Sequence, residues 1–413
     1  MALVLTACGP RTGGLPSEGG SDDSAGDSES GGDTTTIDAV NDTGDSTSSD
    51  TADSTGESLV NWCLRGSNQT ELHLGQALQA VSDSDGNGRD EVWMTEWTED
   101  RGAETHTSRI QAFELGPDGL LAMVADVERA GVPLTMVDID GDGLLDLLMD
   151  DWDAPQAWWY VGLPGLSIDE VSQPLVRPGE WGSWLDGNGD GLVDFFERTD
   201  AGLSLHLGDG MGGFTFADTH AYPRKRTSQK LWPTEVPGVL LASYAPGFKA
   251  FTDDFHALSV SPVGAITVLA SGKTAAVSVQ HVRDFDGDGV PDVLGFDELS
   301  NESMTYLHQG SPGQYVAQSI EEPVRGMAAD TLTSAGEVEV LHWTSVEGEM
   351  WLRPPQDGGW PNAIEVTVEG PWFHSGAITP LQADGEGGRE LLLLSAQGDS
   401  SRYSLWRLEP CEA

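Results

Sequence analysis

Basic residues are scarce in this chain. Its 413 residues hold 20 Lys and Arg against 68 Asp and Glu, only four of the basic residues are Lys, and the formal net charge is -48. Binding nucleic acid or an anionic lipid surface needs clustered Lys and Arg, so the composition excludes both as partners. Catalytic signatures are also missing. There is no His-Glu-x-x-His, no Gly-x-Ser-x-Gly, no Gly-rich phosphate loop ahead of a Lys and no Cys pair at zinc spacing. The nine His are scattered, and His281 and His342 fall beside loop motifs where strand positions with structural roles are expected. No stretch approaches the roughly 18 apolar residues of a membrane span. The three Cys are an odd number, which sets one apart from any pair.

The first ten residues read MALVLTACGP. Leu5-Thr6-Ala7-Cys8 resembles the bacterial lipobox, in which a small residue precedes a Cys that is lipidated and becomes the mature N-terminus. The resemblance makes residues 1–8 part of a lipoprotein signal whose true start lies upstream, because no basic region precedes the short apolar run. Residues 9–58 are almost wholly Gly, Ser, Thr and Asp, with Arg11 the only basic residue. Such a segment cannot bury enough apolar surface to fold, so it reads as a disordered acidic linker with a reach of roughly 40 Å. The implied location is an exported, membrane-anchored lipoprotein at the cell surface, outer membrane or periplasm. Gly9 rather than Asp after the lipidated Cys favours the outer membrane by the same resemblance.

Asp and Gly recur in a fixed pattern. Asp284-Phe285-Asp286-Gly287-Asp288-Gly289-Val290-Pro291-Asp292 sets carboxylates at positions 1, 3, 5 and 9 around a Gly at position 6, then runs into Val293-Leu294-Gly295-Phe296. A hard cation takes about six to eight oxygens, and position 7 adds a backbone carbonyl. An EF-hand is excluded, since position 12 is Gly295 rather than Glu and a strand-like run follows instead of a helix.

The same nonapeptide begins at Asp83, Asp138 and Asp186, and a worn copy begins at Gln382. The steps between starts are about 55, 48, 98 and 98 residues, so each long step hides one more copy. Glu235-Val236-Pro237-Gly238 and Ala335-Gly336-Glu337 fill those places without the ligands, and their units are expected to rest on packing alone. Seven units of roughly 49 residues, each with several short strands, predict an all-β, seven-bladed β-propeller over residues 59–413. In the second unit the strands are expected at 135–137, 146–149, 157–161 and 168–176. The last unit ends after its third strand, 402–408, and residues 59–75 would supply the fourth, so that both chain ends share one blade and no edge stays open. With Cys8 set aside for lipid, Cys63 and Cys411 remain to pair across that blade.

The D-x-[DN]-x-[DN]-G-x-x-[DE] loops running into apolar strands resemble the FG-GAP and VCBS repeats of integrin-α-type propellers. The resemblance implies Ca²⁺ on four loops. The ligands would be Asp83, Asp85, Asn87, the Arg89 carbonyl and Glu91; Asp138, Asp140, Asp142, the Leu144 carbonyl and Asp146; Asp186, Asn188, Asp190, the Leu192 carbonyl and Asp194; and Asp284, Asp286, Asp288, the Val290 carbonyl and Asp292. A fifth, degenerate site would use Asp384, Glu386 and Glu390, with Gln382 where the first Asp belongs. Trp93, Trp97, Trp152, Trp181 and Trp184 lie near these loops in sequence, and Trp158-Trp159 fall on a strand. They serve either a sugar-binding surface or the wedging of blades. The expected function is a monomeric, surface-anchored binding or adhesion module for an extracellular protein or glycan, without catalytic residues. The alternative is an extracellular polysaccharide-processing enzyme whose groups come from several blades.

Overall fold

A computed structural model of the chain describes residues 62–72, 76–100, 105–115, 120–151, 154–179, 182–199, 201–222, 228–245, 252–297, 304–320, 326–330, 339–343, 349–353, 364–369, 378–382, 390–397 and 400–411. Cys8, residues 9–58, the worn segment 335–338, and Asp384 and Glu386 lie outside the described residues. All regular structure within them is β, and no helix there is long and apolar enough to cross a membrane.

Among the described residues the strands form five hydrogen-bonded sheets, three of four strands, one of seven and one of eight, and they follow one another in chain order as antiparallel units. Unit 1 comprises Gln76–Ser82, Glu91–Asp100, Thr105–Leu115 and Leu121–Ala130; unit 2, Val132–Val137, Asp146–Asp151, Ala154–Leu163 and Ser167–Leu175; unit 3, Gly182–Leu185, Asp194–Thr199, Gly202–Gly208 and Phe214–Ala221. Unit 4 comprises Ser228–Pro233, Val239–Ala245, Thr252–Val260 and the first part of the 18-residue strand Ile266–Arg283. The rest of that strand opens unit 5, followed by Asp292–Asp297, Met304–Ser311 and Gln314–Ile320. Unit 6 comprises Gly326–Asp330, Glu339–Trp343, Met350–Arg353 and Ile364–Glu369; unit 7, Ile378–Leu381, Glu390–Gln397 and Ser400–Pro410. Each set is an antiparallel meander. The fourth strand of unit 7 is Trp62–Leu72, from the other end of the chain, paired antiparallel with Ser400–Pro410 and parallel with Ile364–Glu369.

The second strand of each unit shows why these runs are apolar without alternation. Side chains along a strand point alternately to opposite faces. In Asp146–Asp151, Leu147 and Met149 pack with Ala80, Trp93 and Ile110 of unit 1, while Leu148 packs with Val193 of unit 3. In Val239–Ala245, Leu240 and Ala242 meet Leu203 and Leu205 of unit 3, and Leu241 meets Val293 and Leu307 of unit 5. Val340 likewise faces Leu294 of unit 5, and Leu341 faces Leu391 and Trp406 of unit 7. Both faces of a strand are covered, so both parities must be apolar. Each such side chain contributes on the order of 1.5–3 kcal/mol. Trp158 and Trp159 obey the same rule: one joins the unit 1–unit 2 core and the other the unit 2–unit 3 core.

A pair of hydrogen bonds joins the last unit to the first, and a disulfide ties the two chain ends together within the last unit. Asp90 N–H donates to the Gln382 carbonyl at 2.6 Å, and Gln382 N–H donates to Asp90 Oδ2 at 2.6 Å. Cys63 and Cys411 form a disulfide across 348 residues of sequence, with Cα atoms 5.0 Å apart. In the chain-entropy view such a bond removes a very large loop from the unfolded ensemble. Replacing both cysteines by Ser is expected to lower the unfolding free energy by up to about 5 kcal/mol. Urea denaturation reads this, and an unchanged midpoint would mean that the strand pairing alone holds the two ends.

Candidate metal centre

The four complete loops share one backbone. The Gly at position 4 and the Gly at position 6 both have positive φ, for example +75° at Gly141 and +88° at Gly143, a region that glycine enters without steric penalty. The sequence pattern singles out position 6, yet all four loops also carry Gly at position 4 (Gly86, Gly141, Gly189 and Gly287). That turn lets the first Asp cap the loop from inside. Gly143 N–H donates to Asp138 Oδ2 at 2.8 Å and Gly289 N–H to Asp284 Oδ2 at 2.8 Å, with the same bond at Gly88 and Gly191.

Position 9 opens the second strand and is fully buried in all four: Glu91, Asp146, Asp194 and Asp292. One of its oxygens accepts the amide of position 2, from Ser84, Ile139, Gly187 and Phe285 at 2.7–3.0 Å. The strand thus holds the acid and the acid holds the loop. In unit 2 the other oxygen accepts from Gly162 N–H at 2.7 Å, and in unit 3 from Gly208 N–H at 3.0 Å. Glu91 Oε1 and Asp292 Oδ1 are buried with no hydrogen-bond partner among the described residues.

These acids gather into three groups whose ligand oxygens lie within 4.8 Å of one another: Asp83 with Asp85 and Glu91, Asp138 with Asp140 and Asp146, and Asp284 with Asp286 and Asp292. Burial pushes the position-9 carboxyls up, to about 7 at Glu91, about 7 at Asp146, about 6 at Asp194 and about 8 at Asp292, where Asp286 adds to the effect. Burial also raises Asp140 and Asp286, each with a neighbouring carboxylate contributing. A buried oxygen without a donor, beside two more carboxylates, fits a hard divalent cation, which takes oxygen ligands only. The residues that would hold it are those at positions 1, 3 and 9.

Position 5 lies outside these groups. Asp142, Asp190 and Asp288 each use Oδ1 to accept the position-7 amide, of Leu144, Leu192 and Val290, and Asn87 does the same for Arg89. In the third loop position 3 is Asn188, whose amide nitrogen donates to Asp190 Oδ2 at 2.8 Å and to the Pro262 carbonyl at 3.3 Å. Asp186 and Asp194 are therefore not joined by a third carboxylate.

The worn loop of unit 4 is held by more than packing, which corrects the expectation there, whereas that of unit 6 lies outside the described residues. Arg283, one residue before the Asp284 loop, pairs with Glu235 of unit 4 and, at 3.2 Å, with Asp330 of unit 6. In unit 7 the buried Glu390 has Arg407 Nε at 3.1 Å from its Oε1. Glu339 of unit 6 also opens its second strand as a buried acid, in the place that position 9 holds in the complete loops. In unit 7 a guanidinium supplied by the chain thus sits at the acid that opens the second strand. Trp93 is buried in the unit 1–unit 2 core and Trp184 packs against Phe195 and Phe214. Trp152 and Trp181 lie outside the described residues, as does the Trp97 side chain.

Raised carboxyl pKa values mean that the metal-free folded chain binds more protons than the unfolded chain, whose acids titrate near 4. Without metal, stability from these groups is present at low pH and is lost as pH rises through about 6 to 8. A bound cation displaces the protons, so the gap in melting temperature between cation-loaded and chelated protein is expected to widen from pH 5.5 to 8.5. A constant gap, or none, would refute this. Arg407→Met is expected to cost about 2 kcal/mol, toward the low end for a broken ion pair because Arg407 is partly exposed. That loss, read by urea denaturation, is expected to be the same with and without chelator.

No protein-family model matches this chain and no curated protein matches it. Solved structures give distant likenesses. One is the Photorhabdus luminescens Tc holotoxin pore, at 15% identity and TM-score 0.39 over 81% of this chain, which spans 18% of the toxin chain. An Agrocybe aegerita lectin described as recognising non-reducing terminal N-acetylglucosamine is 13% identical, with TM-score 0.48, over 72% of this chain and 80% of its own. The CNH domain of AfRom2 is 11% identical, with TM-score 0.41, over 84% of this chain and 98% of its own. What the chain is similar to is thus a set of remote structures, and none assigns it a family.

Proposed function

We propose that this chain is a calcium-stiffened, seven-bladed β-propeller of the FG-GAP/VCBS type, anchored at a bacterial surface by lipid on Cys8, that binds an extracellular glycan or protein. The observation that carries the reading is the triplet of carboxylate groups built on one loop geometry at the same place in three units. Neighbour contacts support the ring. Gly141 lies against Leu192, Gly189 against Pro237 and Gly238, and Arg283 joins Glu235 to Asp330. Asp90 then meets Gln382 and brings unit 7 back to unit 1. Calcium suits the oxygen-only donor set and the flexible loop better than Mg²⁺, which demands a tighter octahedral shell.

In this reading the ions set the loops and neutralise their charge, and the loops present the partner-binding surface. Three carboxylates within a few ångströms repel one another strongly until a cation sits among them. Calorimetric titration is expected to show several Ca²⁺ sites, with Asp286→Ala removing one and leaving the rest, since repeats couple chiefly to neighbours. Screening the calcium-loaded protein against glycans and surface proteins is expected to yield binding without turnover, weakened at least tenfold by chelation. Release of fragments from a polysaccharide panel would overturn the binding reading in favour of an enzyme.

A further inference from the structure

The core between units 3 and 4 ends in polar side chains that the loop chemistry does not use. His220 stands near the end of Phe214–Ala221, and His256 lies in Thr252–Val260. Their rings meet across the unit boundary, with His220 Nε2 2.9 Å from His256 Nδ1 and the planes at 69°. The far nitrogen of His256, Nε2, faces Asp254 Oδ1 at 3.6 Å. Asp254 is buried, and it accepts a hydrogen bond from the Tyr222 hydroxyl while Lys273 Nζ lies 3.5 Å from its Oδ2. Tyr244 stacks on Tyr222 and packs edge-on against His256, and its buried hydroxyl has no hydrogen-bond partner among the described residues.

We propose that His220 Nε2 and His256 Nδ1 form a binding site for a borderline transition-metal ion such as Cu²⁺, Ni²⁺ or Zn²⁺, separate from the hard-cation loops. Two nitrogens 2.9 Å apart with metal bonds of about 2.0–2.1 Å subtend roughly 90° at the metal. That is the cis angle of a square-planar or octahedral shell, and imidazole suits these ions where carboxylate suits Ca²⁺. A ligating imidazole commonly turns its other ring nitrogen to a carboxylate, and Asp254 stands in that place for His256. Burial, together with His256 beside it, pushes His220 down to about 4, and burial lowers His256, so both rings are in the neutral, ligating form at neutral pH. On ligation His220 takes its Nδ1–H tautomer, which frees Nε2. Asp218 beside His220 and Asp254 beside His256 favour the added positive charge, while Lys273 opposes it from an exposed position. Water completes the shell.

The test uses the full chain in excess Ca²⁺, so that the loops cannot compete, titrated with Cu²⁺ alone. One equivalent is expected to bind with nitrogen superhyperfine coupling in the electron paramagnetic resonance spectrum. His220→Gln and His256→Gln are each expected to abolish that signal, and Asp254→Asn to weaken binding by about tenfold or more. A copper spectrum without nitrogen coupling, or full uptake by the double His variant, would overturn the site. Folding of the variants is checked by melting, and the unaltered protein supplies a second reading. Zn²⁺ is expected to shift the ring resonances of His220 and His256 among the nine His, and their failure to move would sink the proposal.

Discussion

A carboxylate buried at the first residue of a strand is the constraint around which each complete loop is arranged. Glu91, Asp146, Asp194 and Asp292 sit where the loop becomes sheet, with no exposed surface. An ionised group there is costly unless hydrogen bonds or a cation compensate it. The loop amide at position 2 supplies one bond, and in units 2 and 3 a glycine amide from the third strand supplies another. In units 1 and 5 one oxygen has no donor among the described residues, and the neighbouring carboxylates at positions 1 and 3 close in on the same point. The loop backbone, with its two left-handed glycines, follows from the need to bring those oxygens together.

The same demand is met differently in unit 7, where buried Glu390 has Arg407, while Arg283, just ahead of the complete Asp284 loop, reaches Glu235 and Asp330 in the neighbouring units. Guanidinium groups are suited to this because they stay charged when partly buried and can bridge two carboxylates. Units with internal cations and units with open carboxylate groups therefore coexist in one chain, and each touches its neighbours through cores of Leu, Val, Trp and Phe. The apolar cores are alike throughout; charge compensation is what varies from unit to unit.

Much of the candidate site was legible before any coordinates. The spacing of Asp138, Asp140 and Asp146 dictates that three carboxylates share one turn, because a glycine-permitted loop of nine residues has few other ways to fold. Gly at position 4 is equally visible in the sequence, repeated in all four complete loops. Asn188 fills position 3 with an amide: its nitrogen donates to Asp190 and the Pro262 carbonyl, while its Oδ1 accepts the Asp190 amide as the position-3 carboxylates of the other loops accept theirs. The arginines could not be read at all, since Arg283 and Glu235 lie 48 residues apart and no local rule pairs them.

By itself the sequence determined the strand-rich class, the acidic loops and the odd number of cysteines, because each of these is a local or counting property. Only the tertiary structure decided which carboxylates converge, which acid is neutralised by an arginine, and that His220 and His256 face each other across two units. Those outcomes depend on side chains from separate strands meeting in space. Their positions are set by sheet register and by packing between units, which no window of neighbouring residues encodes.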